Sequence, residues 1–394
     1  MEIGTYPLEK TSIFQGADAQ QVQKMLGVIL PSIKTYARGE TICRAGETVS
    51  SLGIVLAGGA TIELCDAWGN RSIIERLEPG EVFAEAYACL FYPFISTLLS
   101  AFSSLFPFSV GDCFIVGTCL WILIYPFYAW RKRKGAKKTV GTIIRVLMWV
   151  YIWFYFAWGL NYSQKNFYQR TEIPYTAYTP ENFQKFVNEY ITRLNRSYTP
   201  INSINRDLIR EETVRLYKQL SDSLGVHRPP HDAPRVKTMM FTPFISMVGV
   251  TGSMGPFFCE FTLNGDLLPA NYPATYAHEL AHLLGITSEA EANFYAYQVC
   301  TRSQAMGIRF SGYFSVLNHV LGEEYAKLLK RIRPEIIELA KANQTYWAAK
   351  YSPVVGAVQD WIYDLYLKGN KIESGRQNYS EVVGLLISYQ EWKK

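Results

Sequence analysis

The chain carries five histidines in 394 residues, and two of them stand four apart in Y-A-H-E-L-A-H-L-L-G, Tyr276 to Gly285. On a helix, residues i and i+4 share one face, so the imidazoles of His278 and His282 can reach a single metal ion. The pattern suits tetrahedral zinc (Zn2+), which acidifies a neighbouring water toward a pKa of ~7. Glu279, next to the first histidine, is then the general base: it accepts the proton of that water and can pass it to a leaving amine. The plain alternative is a core helix with two hydrogen-bonded histidines, since Leu280, Ala281, Leu283 and Leu284 make the surroundings apolar.

A catalytic zinc needs a third protein ligand and one position left open. Gly285 can end the first helix, and Thr287 or Ser288 can cap a second one that begins S-E-A-E-A-N-F-Y-A-Y. Glu289 and Asn293 are four apart on that helix, whereas Glu291 lies about 200° further round than Glu289 and is the rival ligand. The segment resembles the E-x-x-A-D and E-x-x-A-N stretches of gluzincin-type peptidases. That resemblance implies Glu289 as the third ligand, with Asn293 supporting a histidine. Without a metal, either carboxylate is an ordinary helix-start acid favoured by the helix dipole. Tyr295, Tyr313 and His319 are candidates to stabilise an oxyanion. His227 and His231 flank Arg228-Pro229-Pro230, which rules out helical facing and makes them loop residues. Phe257 to Asn264 reads as a strand ahead of the metal helix, along which an extended peptide substrate could pair. Glu323 to Ala340 and Val354 to Leu367 have helical periodicity and are expected to buttress the site.

These residues need a scaffold, and the chain is long enough for more than one domain. Apolar residues cluster between Ala86 and Leu160. Cys113 to Trp130 is free of charge, and Thr142 to Leu160 contains only Arg145, so both read as membrane spans with Tyr and Trp at headgroup level, Trp158 included. A stretch near 88–107 is a third candidate, weakened by Pro93 and Pro107. The basic run Arg131 to Lys134, with Lys137 and Lys138, marks a cytoplasmic loop, so everything after Leu160 lies outside. Three crossings would place the N-terminus in the cytoplasm. The net charge of +5 comes largely from that run, which has no aromatic interleaving, so no nucleic-acid partner is expected. Seven scattered cysteines make no disulfide framework, although Cys259 and Cys300 could pair in an oxidising compartment. No cleavable signal peptide is evident at the N-terminus.

Before the spans, Phe14 to Ile29 follows helical spacing. Strand-length pieces then run over Ile33–Gly39, Glu40–Ala45, Gly53–Leu56, Ala60–Cys65 and Ser72–Leu77, separated by glycine turns. G-E-T-I-C-R-A-G-E (39–47), the turn around Trp68 to Asn70 and P-G-E-V-F-A-E-A (79–86) resemble the cyclic-nucleotide-binding barrel of Crp/Fnr-type regulators, over about residues 12–89. In that family a Gly-Glu pair holds the ribose and a later arginine holds the phosphate. Here Ala84 stands in the glycine's place before Glu85, and no arginine occurs between Arg76 and Arg131, so a bound cyclic nucleotide is not expected.

Residues from about 90 to 394 resemble a family of bacterial membrane proteins of unknown function, through P-F-S-V-G-D (107–112), W-G-L-N-Y (158–162), G-V-T-G-S-M-G-P-F-F (249–258) and H-E-L-A-H with E-A-E-A-N-F. The expected whole is multidomain. Residues 1–87 form a truncated, partial antiparallel β-barrel, 88–161 carry transmembrane α-helices, and 162–394 form a mainly α, zincin-like (α+β) domain outside the cytoplasmic (inner) membrane. Its expected partners are the lipid bilayer and a peptide or protein substrate hydrolysed with zinc. The alternative is a non-catalytic membrane scaffold or sensor with a structural metal site.

Overall fold

A computed structural model describes residues 8, 19–29, 33–40, 42, 54–65, 71–77, 87–176, 179–231, 234–322, 325–357 and 379–393. The chain divides into two units, residues 1–91 with 163–165 and residues 92–162 with 166–394.

In the first unit, α1 (Ala19–Ile29) precedes an antiparallel pair, β1 (Ala60–Cys65) and β2 (Arg71–Leu77), whose register runs from Ala60 opposite Leu77 to Cys65 opposite Arg71. A shift between Ile62 and Glu63 breaks the ladder once. Two of the five expected strands, Ala60–Cys65 and Ser72–Leu77, are therefore present; most of Glu40–Ala45 and the start of Gly53–Leu56 lie outside the described residues, among which no barrel occurs. Ile33–Gly39 is irregular rather than a strand, with Ile33 63% exposed, because among the described residues no neighbouring strand covers it. The stretch around Trp68 to Asn70 and the 79–86 piece, with Ala84 and Glu85, lie outside the described residues.

The second unit is mostly helical around a small sheet. It opens with α2 (Tyr92–Ser104), α3 (Val110–Arg131) and α4 (Ala136–Ala157), then α5 (Phe167–Thr171), α6 (Pro180–Ser197) and α7 (Arg206–Leu220). The sheet region comprises β3 (Lys237–Thr238), α8 (Thr242–Ser246), β4 (Gly252–Gly255) and β5 (Glu260–Leu263). Next come α9 (Tyr272–Leu283), α10 (Glu289–Thr301), α11 (Met306–Ser315), α12 (Leu317–Leu321), α13 (Tyr325–Leu329), α14 (Pro334–Lys350) and α15 (Tyr379–Trp392). The core forms where α10 packs on α9, α11 and α15, with α6 and α7 closing the sides. Tyr276, Phe294, Tyr295 and Phe310 are fully buried there, the large aromatic surfaces that stabilise such a core most.

Strand order in the sheet is β3-β5-β4, with β3 parallel and β4 antiparallel to β5. The expected strand at Phe257–Asn264 is shorter, because Phe257 to Cys259 form a turn with Cys259 at φ +43°. It is also the central strand, so both its edges are taken. The edge strands are β3 and β4, and β4 is made from the glycine-rich piece.

Helices α3 and α4 are each 22 residues long, about 33 Å. Their most apolar windows are only 6% buried, so a hairpin of two bare apolar helices long enough to cross a membrane leaves the globular part. Its base is tied in by polar groups. Glu260, on β5, accepts from Ser109 Oγ at 3.0 Å and from the Gly111 amide, at the α3 N-terminus where the helix dipole favours a carboxylate. Lys237 on β3 pairs with the same carboxylate and donates to the Ser103 carbonyl at 2.7 Å. Both charged side chains are almost wholly buried, which is tolerable only because each is paired and hydrogen-bonded.

The third expected span, 88–107, is corrected by α2. Its 13 residues reach about 20 Å, and Tyr92, Ile95, Ser96, Ser100 and Ser103 are buried, so this helix belongs to the globular unit. That unit therefore starts near Tyr92 and not at 162. Trp158 is likewise no headgroup anchor: it is 6% exposed and donates from Nε1 to the His282 carbonyl at 3.3 Å. Cys259 and Cys300 are free and buried, each directed at a different backbone carbonyl, Ala157 and Pro273. The Glu323–Ala340 segment is two helices broken before Pro334, and only Ile336 of α14 is buried, so α14 does not buttress the site through a packed face. Most of Val354–Leu367 lies outside the described residues.

Candidate metal centre

The site grows out of two helix ends and the turn between them. α9 ends at Leu283, and Gly285 takes φ +95°, a conformation that glycine adopts without strain. The Ile286 amide then returns to the Ala281 carbonyl at 3.2 Å. Ser288 caps α10 by accepting from the Glu291 amide at 3.3 Å, which places Glu289 in the first turn. A Cβ at Gly285 would come 3.1 Å from the Tyr92 ring, and Tyr92 Oη donates to the Leu283 carbonyl at 2.8 Å, so α2 holds this turn from outside.

His278, His282 and Glu289 converge as the sequence predicts. Their ligand atoms all lie within 4.8 Å of one another. The two Nε2 atoms are 3.1 Å apart, with a Glu289 oxygen 3.2 Å from the first and another 3.6 Å from the second. The far side of each ring is held: His282 Nδ1 donates to the Ile286 carbonyl at 2.7 Å, and His278 Nδ1 sits 3.0 Å from Asn293 Oδ1. With Nδ1–H committed to an oxygen, each neutral imidazole turns a bare Nε2 lone pair toward the other and toward a carboxylate. Three electron-rich atoms facing one another favour a proton or a metal ion between them, and two imidazoles with a carboxylate are a zinc-type donor set. The residues present fit the metal.

Electrostatics say the same. Burial opposes charge on His282, yet the Glu289 carboxylate, then Glu279 and the Ile286 carbonyl, outweigh it and push its pKa up to about 9. Burial also works against Glu289, but the His282 and His278 rings hold its carboxyl well below the usual carboxylate range. The Glu289 side chain keeps 59% of its surface exposed, so solvent screens part of this pull and leaves one side of the cluster open. Glu279 is buried, which raises its pKa against the favourable pull of the two histidines. Its carboxylate lies on the β4 backbone: a Cβ at Gly252 would overlap Glu279 Cγ at 2.6 Å, so only glycine lets the strand and the acid share this space.

Glu291 is excluded as a ligand. It is buried, ion-paired with Arg170, and accepts from the Phe167 amide at 3.1 Å, on another face of α10. Of the oxyanion candidates, Tyr295 Oη donates to the Leu224 carbonyl at 2.6 Å, and Tyr313 is buried against Tyr190 and Tyr297. His319 lies close enough to feel the His278 charge, and burial followed by that charge lowers its pKa. His227 and His231 are in a loop, as expected. Sequence reasoning passed over Arg170, the Gly252 contact and the hold of Trp158 on His282. Only Gly252 had a visible signal, its place in the glycine-rich run.

Residues 87–387 match the family model described as a protein of unknown function (DUF3810), most of the chain. The chain belongs to this family. Residues 33–98 match the model of the cyclic nucleotide-binding domain, so the two matches share 87–98 at the start of α2. No curated protein and no solved structure matches. The DUF3810 match takes in the apolar hairpin, the sheet and every residue of the metal cluster.

The roles of the acids separate by mutation. Glu289→Ala should abolish tight zinc binding, and Asn293→Ala should weaken it by ~10–100-fold, in titrations against a competing chelator. Glu291→Ala should leave affinity within a few-fold but strand Arg170 and lower stability by about 3 kcal/mol in thermal unfolding. A larger affinity loss for Glu291→Ala than for Glu289→Ala would reverse the assignment.

A second expectation concerns pH. In metal-free protein the His282 pKa is raised from 6.5 to about 9, so the stability from its proton is complete below 6.5 and lost as pH rises through about 9. Melting temperature in chelator should therefore fall from pH 6.5 to 9, while zinc-loaded protein should lack that fall. Parallel curves would contradict this origin of the shift.

Proposed function

We propose that this DUF3810 chain is a membrane-anchored, zinc-dependent peptidase with Glu279 as general base and a zincin-like site. The observation that carries the reading is the convergence of two Nε2 lone pairs and one carboxylate, with a fourth side open and a buried acid beside it. Structural zinc sites are closed by four protein ligands, and the three-residue cluster argues for a reactive one. That counts against the scaffold or sensor alternative.

When bound, zinc supplies a Lewis acid that polarises the scissile carbonyl and acidifies water. The rest is the work of the chain. An extended peptide adds to the open edge of β4, where main-chain hydrogen bonds fix its register. Glu279, pressed under Gly252, takes a proton from the attacking water; its raised pKa makes it the better base. Water oxygen bonds to the carbonyl carbon, the C–N bond breaks, and the Glu279 proton passes to the departing amine. Of the three oxyanion candidates we favour His319, which is near enough to feel the His278 charge.

Anchoring rests on the α3–α4 hairpin. Its tip holds Lys132, Arg133 and Lys134, so the positive-inside tendency puts the tip in the cytoplasm and the metal site outside, in a bacterial inner membrane. With two spans, the segments before Val110 and after Ala157 lie on the same side.

Glu279→Gln should keep zinc affinity within about threefold and lose at least ~100-fold in kcat toward any cleaved peptide. Gly252→Ala should do likewise by displacing that acid. Equal turnover in wild type and Glu279→Gln would remove the catalytic reading. For topology, a reporter inserted at Gly135 should read cytoplasmic and one at the C-terminus extracytoplasmic; the reverse would move the site into the cytoplasm.

A further inference from the structure

The edge strand beside the metal cluster leads straight to the base of the apolar hairpin. Gly252 lies over Glu279, and five residues later the β4–β5 turn is packed against both helices. The Phe257 ring is 5.0 Å from Phe114 and 6.2 Å from Phe154; the Phe258 ring is 5.7 Å from Phe114 and 6.5 Å from Trp153. Trp153 Nε1 donates to the Phe257 carbonyl at 2.9 Å. Phe114 is four residues from the α3 start, and Trp153 four from the α4 end, so these contacts lie about 6 Å inside the helix ends. Helices of about 33 Å centred on a hydrocarbon layer of ~30 Å put that level about 4–5 Å inside the hydrocarbon edge, just beneath the headgroups. The chain from Gly252 to Phe257 spans at most about 17 Å.

A second feature reaches the same plane independently. Phe94, Leu98 and Phe102 follow an i, i+4, i+8 pattern on the face of α2 opposite its buried serines, Leu105 continues it in the turn just past the helix end, and all four are exposed, Phe94 at 71%. The Phe102 ring meets Phe258 at 6.1 Å, so this apolar face is continuous with the hairpin. Met240, Phe241 and Phe244, also exposed, flank the α3 start, where the Met240 amide donates to Asp112 Oδ2 at 3.3 Å. A bare apolar face continuous with two apolar helices of spanning length is suited to lie against the membrane interface.

We infer that the site takes polypeptide segments close to where they leave the bilayer, so that its substrates are membrane-anchored. The inference rests on the peptidase reading above. A peptide paired with β4 runs along a strand that descends to the headgroups, and the residue opposite Gly252 is only about five residues from lipid. Anchoring the substrate in the same membrane supplies an effective concentration that a free peptide lacks.

The test uses the full chain with zinc in phospholipid vesicles. A mixed-sequence, unstructured peptide pool is offered free in solution, and the same pool is offered anchored in the vesicles by an acyl chain at either end. Products are mapped by mass spectrometry against Glu279→Gln. Anchored peptides should be cut at least about tenfold faster than free ones, with cuts within about ten residues of the anchor. Leu98→Glu with Leu105→Glu should reduce the anchored rate and spare the free rate. Equal rates, or cuts indifferent to the anchor, overturn the inference and leave the peptidase intact. No Glu279-dependent cutting of either pool removes the peptidase reading, and this inference with it.

Discussion

Two imidazole nitrogens 3.1 Å apart, each with its other nitrogen already committed to an oxygen, are the constraint around which the second unit is organised. Neither ring can turn away without losing a buried hydrogen bond, and neither lone pair is comfortable beside the other. Glu289 resolves the conflict in part, by drawing a proton onto His282 in the absence of metal. The same three atoms could hold a metal ion in place of that proton. Such preorganisation requires α9 and α10 to meet at a fixed angle, and the left-handed Gly285 turn, gripped by Tyr92 and Trp158, sets it.

That grip ties the His278–His282–Glu289 cluster to the apolar hairpin. Tyr92 belongs to α2 and Trp158 follows α4, so the residues that steady the end of α9 are the residues that lead into and out of the hairpin. The buried Lys237–Glu260 pair does the same for the sheet, joining β3 and β5 to the start of α3 and the end of α2. A buried ion pair adds little net stability over an apolar replacement, but it is intolerant of misplacement. Here it determines where the hairpin can leave the domain. Site and anchor are in this sense one construction.

The residues of the candidate site were legible because their signal is local. His278 and His282 at i, i+4, the glycine after the helix, and a serine cap before Glu289 and Asn293 are read within sixteen residues; helical geometry separates the faces of Glu289 and Glu291, and the resemblance to gluzincins favoured Glu289 between them. The two hairpin helices were equally legible, since a long uncharged run depends on no partner. α2 was not. Its composition suits lipid, but its length and serine face are resolved only by the domain that buries Tyr92, Ser96 and Ser103. The strand near Phe257 was misplaced for a related reason: alternation marks an extended segment without saying whether it is central or at an edge.

What the sequence by itself determined is therefore the donor set, the helical spacing that lets the donors share a face, and a pair of apolar helices with a basic tip. What only the tertiary structure decided is the pairing of groups distant in the chain: Gly252 against Glu279, Arg170 taking Glu291 out of contention, Trp158 on His282, and β4 at an edge of the sheet. The physical reason is that short-range periodicity constrains which side chains share a face. Which buried polar group meets which depends on closing long loops, and a single sequence carries no trace of that beyond a glycine left where nothing larger fits.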